Sequence, residues 1–234
     1  MRARALFAAA AAAALLLAAP ASRAQGLVGL GLDYPYTAAP LINFSHMSAM
    51  NNNAMINAAN PARKREHDIA NVPPAVKRNA QELAKVFPAS NQASMEQVFV
   101  QSMDVYQTIE AKMGSPRNNL DMAMAAFIVG NYMVFANREV SDDEFKAVAG
   151  QLRQAGGTSR LREKERPETI RNLYEKSAMV GAFMALAYKS QQQKAQPEQV
   201  AANLRNSARE NLKIVLGTDP ERLRIDGRGV KLVP

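Results

Sequence analysis

Residues 120–136 read LDMAMAAFIVGNYMVFA, a run that is apolar except at Asp121, Gly130 and Asn131. A helix that is apolar on every side is buried on every side. The run is somewhat short for a membrane span, and two polar side chains interrupt it. It therefore predicts the central helix of a globular helical core, beginning at about Asn119.

The two polar residues of this run, Asp121 and Asn131, are candidate site residues. A buried polar group has to be hydrogen-bonded, so we expect each to make a core bond or a helix-end contact. Asp121 falls in the first turn, where a negative charge interacts favourably with the helix dipole. A role in binding is the alternative for both.

Five further helices are predicted around this run. Each has apolar residues at a period of 3.6 and starts or stops at a proline, a glycine or a capping residue. They span about 74–87, 94–113, 141–156, 167–193 and 197–217. The longest is again apolar on every side from Ala178 to Tyr188, which predicts a second buried helix.

The end of the chain has a different pattern. Residues 222–232 alternate apolar and basic side chains about the turn sequence Asp226-Gly227-Arg228-Gly229, which predicts a small β-hairpin with one apolar and one basic face. Residues 73–234 are thus predicted to form an all-α domain, an orthogonal bundle of five or six helices that ends in this hairpin.

Two sequence similarities suggest an internal duplication. VGNYM at 129–133 and VGAFM at 180–184 lie 51 residues apart, and VAGQLR at 148–153 and VAANLR at 200–205 lie 52 apart. In each copy a buried helix, at 129–133 or 180–184, is followed by an amphipathic helix, at 148–153 or 200–205. We hypothesise two duplicated helical hairpins, with chance resemblance between Ala-, Val- and Met-rich helices as the alternative.

Two glycines stand at the centres of the two buried helices. Ala126 lies one helical turn before Gly130, and Ala178 lies one turn before Gly181, so each glycine shares a helix face with another small residue. A residue without a Cβ lets another backbone come close. We therefore predict a close approach of the two central helices at these positions.

The first 24 residues have the features of a secretory signal peptide. Two arginines precede an apolar stretch at 5–19, and Ser22-Arg23-Ala24 offers the small residues that an export peptidase needs. The mature chain is expected to start at Gln25, or after Ala19-Pro20-Ala21. An uncleaved N-terminal anchor is the alternative. Without a cysteine after the signal a lipoprotein is excluded, so a periplasmic or secreted protein is predicted.

Composition narrows the chemistry further. Of 234 residues none is Cys or Trp, and the only histidines are His46 and His67. This excludes disulfides, thiolate nucleophiles and Cys-ligated metals, and it argues against a Ser/His hydrolase. Removing the signal lowers the Lys+Arg count from 29 to 26 against 21 acids, so the net charge falls from +8 to +5. That charge is weak evidence for nucleic-acid binding, and no cofactor is predicted.

Residues 25–72 are predicted to be a disordered leader rich in Asn and Met. They have no apolar period, and prolines punctuate their end. Their His46, Met47, Met50 and Met55 could bind Cu(I), since thioethers and an imidazole are soft ligands. The alternative is a disordered linker without metal.

A carboxylate pair could make the protein an envelope glycan hydrolase. The candidates are Asp121, Glu139, Asp142, Asp143 and Glu144. Structural roles explain them better, because Ser141 and Glu144 have the spacing of a capping box at a helix start.

Four basic residues of the hairpin could contact an anionic surface: Arg222, Arg224, Arg228 and Lys231. A solvated face is the usual role of such a set. Nucleic acid is not expected as a partner, because no aromatic platform accompanies the arginines. After signal cleavage no transmembrane segment is expected.

Three segments resemble a group of exported bacterial proteins of unknown function. They are Lys77-Arg78-Asn79-Ala80 with Leu83-Ala84, Asn119-Leu120-Asp121-Met122-Ala123, and Leu216-Gly217-Thr218-Asp219-Pro220-Glu221-Arg222-Leu223. The resemblance covers about 74–232 and implies a compact helical domain behind a signal peptide and a variable linker. It implies no activity. The expected function is a non-enzymatic binding or structural module whose partner is an envelope protein or an anionic surface.

Overall fold

The computed structural model describes residues 69–233. In this part of the chain there are seven α-helices and one two-stranded sheet, with short 3-10 turns at Ile69–Asn71 and Pro220–Arg222. The elements are α1 Val76–Ala84, α2 Ala89–Lys112, α3 Leu120–Ala136, α4 Asp142–Ala155, α5 Gly157–Lys164, α6 Pro167–Gln193, α7 Glu198–Leu216, β1 Leu223–Asp226 and β2 Gly229–Leu232. The predicted all-α class with a C-terminal hairpin is confirmed.

The helix count exceeds the prediction of five or six because of α5. Its eight residues lie in a charged stretch, and Leu161 is the one large apolar side chain that they bury. A single apolar residue gives no periodic signal, so the sequence does not show this helix. Helix α2 also starts earlier than predicted, directly after Pro88.

Helices α3 and α6 cross at the centre of the molecule, as the two glycines predict. A Cβ built on Gly130 would lie 2.1 Å from the carbonyl oxygen of Gly181. A Cβ on Gly181 would lie 2.4–2.6 Å from backbone atoms of Ala126 and Phe127. The two backbones are therefore in direct contact, and every residue of α3 except Ala136 is buried.

The remaining helices divide between these two. Helices α1 and α2 pack against each other and against α6, whereas α4 and α7 both pack against α3. In a duplicated pair of hairpins, α7 would pack on α6 in the same way that α4 packs on α3. Instead α7 makes little contact with α6. The packing therefore does not support the duplication, which remains a hypothesis.

Strands β1 and β2 form the predicted antiparallel hairpin. Leu223 pairs with Leu232, and Ile225 pairs with Val230. Leu223, Ile225 and Val230 are buried on the face that packs against α4. Among the helices of residues 69–233 we find none whose length and apolar content would let it cross a membrane.

Candidate functional site

Two side chains of the helical core hold the hairpin by its backbone. Gln151 of α4 accepts the amide hydrogen of Val230 (2.7 Å) and donates to the carbonyl of the same residue (3.0 Å). Arg138, just after α3, donates to the carbonyl of Ile225 (2.7 Å) and to Glu144 (3.0 Å). The hairpin is thus fixed without any of its own basic side chains.

The opposite face of the hairpin presents the predicted anionic-surface residues. Arg222, Arg224 and Arg228 are exposed, and the side chains of the first two bond only to nearby backbone carbonyls. Lys231 forms an ion pair with Asp226, and this bond lowers the pKa of Asp226. Three arginines of the four predicted residues therefore have no acidic side chain bonded to them among the described residues.

Acidic residues beside the hairpin are paired with a different cation. Arg209 of α7 lies 2.9 Å from Glu221 and 3.6 Å from Asp219. The hydrogen bond from Arg209 lowers the pKa of Glu221 to about 2, so this carboxylate stays ionised and bound to Arg209. Glu221 and Asp219 therefore pair with Arg209 and not with the three exposed arginines.

Asp121 and Asn131, the two polar residues of α3, are bonded inside the core. Asp121 accepts the hydroxyl hydrogen of Thr158, and its other oxygen lies 3.9 Å from Arg153. Asn131 donates to the carbonyl of Phe127 (2.7 Å) and accepts from Asn211 of α7 (2.9 Å). Both side chains therefore join helices to one another, as buried polar groups require.

The other four candidate carboxylates of the hydrolase prediction lie in residues 139–144, and three of them pair with different cations. Glu139 bonds to Lys189, Asp142 lies 3.4 Å from Lys112, and Asp143 is exposed in the first turn of α4. Glu144 forms the predicted capping box with Ser141.

Glu144 does not have the electrostatic environment of a general acid. Its partial burial acts to raise its pKa, but the Ser141 amide and the Arg138 guanidinium together hold the pKa below the ordinary value. A general acid in glycoside hydrolysis needs a raised pKa.

The structure contains a buried carboxylate that sequence reasoning missed. Glu110, near the end of α2, is 3% exposed. It accepts hydrogen bonds from the hydroxyls of Tyr106 (3.1 Å) and Tyr174 (3.0 Å) and from the amide of Asn119 (3.0 Å). Tyr174 comes from α6, and the two rings meet edge to face with centroids 5.9 Å apart. In the sequence Glu110 comes four residues after Tyr106, on the buried face of α2, so one acid on that face is the only signal. Nothing there indicates the tyrosine 64 residues away.

Comparison with protein families gives a match between residues 5–233 and a family of unknown function, DUF6683. The chain belongs to this family. The match confirms the resemblance to an uncharacterised family and extends it beyond residues 74–232. Neither a curated protein nor a solved structure matches the chain.

Residues 69–233 of the DUF6683 protein contain no group of three or more His, Asp or Glu side chains that could hold a metal ion. The copper candidates His46, Met47, Met50 and Met55 lie outside the described residues, as does the whole leader to Asp68. Cu(I) binding therefore stays a hypothesis from sequence.

The two tyrosines bonded to Glu110 predict a loss of stability at alkaline pH. Burial and the charge of Glu110 raise the pKa of both Tyr106 and Tyr174 above 10. Above about pH 10 the unfolded chain therefore loses protons that the folded domain keeps, and the free energy of unfolding falls. Each tyrosine contributes up to about 1.4 kcal/mol per pH unit.

Urea unfolding between about pH 9 and 11 measures this slope. The Tyr106→Phe and Tyr174→Phe variants are each expected to reduce it, because phenylalanine has no proton to lose. Equal slopes in the two variants and the wild type would contradict the prediction.

Proposed function

We propose that this protein is an exported, non-enzymatic binding module whose C-terminal hairpin contacts an anionic surface. Export is inferred from the signal-like residues 1–24, with the mature chain starting at Gln25. One observation carries the binding role. The core holds the hairpin through its backbone and its apolar face, so that Arg222, Arg224 and Arg228 stay exposed and have no ion-pair partner among the described residues.

The arrangement of charge across the hairpin supports this role. Arg224 lies directly opposite Lys231 in the antiparallel pair. Two like charges in this position destabilise a sheet, so the pair does not serve stability. Asp226 forms an ion pair with Lys231 and not with Arg224, and an anionic group brought to the face would relieve the remaining repulsion.

The alternative, a glycan hydrolase, has less support from the geometry. It needs two carboxylates that face each other, one of them with a raised pKa. The buried carboxylates Glu110, Glu175 and Asp121 are occupied by internal donors, and Glu144 has a lowered pKa.

Removing the three arginine charges is expected to weaken binding to anionic vesicles. We compare wild-type protein with the Arg222→Gln/Arg224→Gln/Arg228→Gln variant by co-sedimentation with vesicles of phosphatidylglycerol and phosphatidylcholine. Each basic residue near such a surface contributes about 1 kcal/mol, so affinity should fall on the order of a hundredfold. Added salt should weaken wild-type binding in the same way, because it screens the charges.

The matched control is Lys77→Gln/Lys85→Gln/Lys194→Gln. It removes the same charge from exposed residues outside the hairpin, and binding should change little. If both triple variants bind equally, the net charge and not the hairpin face mediates the contact. If the wild-type protein does not co-sediment with anionic vesicles, a lipid surface is excluded as the partner.

A further inference from the structure

Two side chains of α6 hold the segment that leads into the helical domain. Arg171 donates from one terminal nitrogen to the carbonyls of Ile69 and Val72, the latter at 2.9 Å. Glu175 accepts the amide hydrogen of Ala75 at 3.0 and 3.2 Å from its two oxygens. We call Arg171 and Glu175 the clasp, and residues 69–75 the entry segment.

The clasp also supplies the missing cap of α1. Helix α1 starts at Val76, and no side chain of its own caps the first turn. The two residues before Ala75 are prolines, which have no amide hydrogen, so Ala75 is the first donor after Val72. Glu175 takes this donor and also accepts from the Asn79 side chain at 2.6 Å, placing a negative charge at the positive end of the helix.

Polar bonds hold the entry segment more than apolar burial does. Ile69 is buried, while Asn71, Pro73 and Pro74 are exposed and Val72 is half-buried. The only backbone hydrogen bond that we find within the segment joins the Val72 amide to Ile69. Such a segment belongs to the low-stability end of a domain, in contrast to the closely packed α3 and α6.

The bonding of the clasp is also incomplete. Arg171 and Glu175 are 4% and 1% exposed, so both charges are buried. Within the described residues Arg171 Nε and the Asn79 side-chain oxygen have no hydrogen-bond partner. Buried polar atoms without a partner destabilise the closed segment. If the segment opened, water would hydrogen-bond these atoms and remove that cost.

The guanidinium of Arg171 connects the entry segment to a second place in the chain. Its other terminal nitrogen donates to the side-chain oxygen of Asn118 at 2.6 Å. Asn118 belongs to the α2–α3 loop and has a left-handed backbone with φ of 63°. The next residue, Asn119, donates its amide hydrogen to Glu110. One side chain thus anchors both the entry segment and this loop.

We propose that the clasp makes the entry segment a strap that detaches as a unit while the helical core stays folded. Detachment exposes Arg171 and Glu175 to water. Arg171 and Glu175 lie one turn apart on the same face of α6, so in the open state their opposite charges partly neutralise each other. The α2–α3 loop loosens at the same time, because Arg171 loses the segment that holds it in place.

Hydrogen exchange of the full chain tests the proposal without any substitution. The amides of Val72 and Ala75 should exchange at least about a hundredfold faster than those of α3. Their rates should depend little on added urea, since local opening exposes little surface. Equal rates and equal urea dependence for the segment and α3 would mean that both open only by global unfolding, which would overturn the proposal.

Two variants then test the roles of the clasp residues. Glu175→Gln turns one acceptor oxygen into a donor facing other donors, and should speed exchange at residues 69–80 by about tenfold to a hundredfold more than in α3. The matched control is Glu82→Gln, which breaks the exposed Glu82–Lys176 pair between the same two helices and should leave these rates unchanged. Equal effects of the two substitutions would count against the clasp.

The Asn118→Gly variant tests the connection through Arg171. Glycine keeps the left-handed backbone but removes the side-chain oxygen that Arg171 binds. Exchange at Val72 and Ala75 should therefore rise severalfold, although the substitution lies in another loop. Unchanged exchange at these amides would show that the loop and the strap open independently.

Discussion

Replacing Gly181 with alanine is expected to destabilise the domain strongly. The added Cβ would lie 2.4–2.6 Å from backbone atoms of Ala126 and Phe127, where no flexible side chain can move aside. Overpacking a core typically costs about 1–3 kcal/mol, and a collision between two helix backbones belongs at or above the upper end. Urea unfolding followed by circular dichroism should show this loss in the free energy of unfolding.

Gly150 provides the matched control for this substitution. It also lies within a helix, α4, but a Cβ there would meet no atom within 4 Å. Gly150→Ala should therefore stabilise the domain by roughly 0.5–1 kcal/mol, because alanine favours a helix over glycine. If Gly181→Ala were as harmless as Gly150→Ala, the close crossing of α3 and α6 would be wrong.

Removing the buried carboxylate of Glu110 is the second change with a large expected effect. Glu110→Ala leaves three donors without their acceptor: the buried hydroxyls of Tyr106 and Tyr174 and the half-buried amide of Asn119. Each unsatisfied group costs about 1–3 kcal/mol, so we expect a total loss of about 3–5 kcal/mol. The same urea titration measures it.

A control on the same helix separates this loss from a general effect of substitution. Asp104 is an exposed acid of α2, and Asp104→Ala should change stability by no more than about 0.5 kcal/mol. The variant that combines Glu110→Leu with phenylalanine at 106 and 174 removes the acceptor and two donors together. It should be more stable than Glu110→Ala. A combined variant as unstable as Glu110→Ala would show that the polar network is not the cause.

The main features of the fold could be predicted because they depend on neighbours along the chain. The all-round apolar runs at Leu120–Ala136 and in α6 indicate burial, and the spacing of Ser141 and Glu144 indicates the start of α4. The alternation from 222 to 232 indicates the hairpin and its two faces. Helix α5 was missed because eight residues with one buried leucine carry no period.

The candidate site could be predicted only in part. The exposure of Arg224 follows from alternation along β1, since side chains of a strand point to opposite faces. That Gln151 and Arg138 hold the hairpin could not be predicted, because their partners are backbone groups 79 and 87 residues away. A glutamine on an amphipathic helix looks the same in sequence whether it faces water or a strand edge.

By itself the sequence determined six of the seven helices of residues 69–233, which two of them are buried, and that Gly130 and Gly181 allow these two to touch. Only the tertiary structure decided which polar side chains meet. Glu175 accepts the amide hydrogen of Ala75, 100 residues earlier, and so caps helix α1, which begins at Val76. Glu110 of α2 binds Tyr174 of α6. The physical reason is that periodicity depends on local backbone geometry, whereas a cross-helix hydrogen bond depends on the rotation and position of two packed helices.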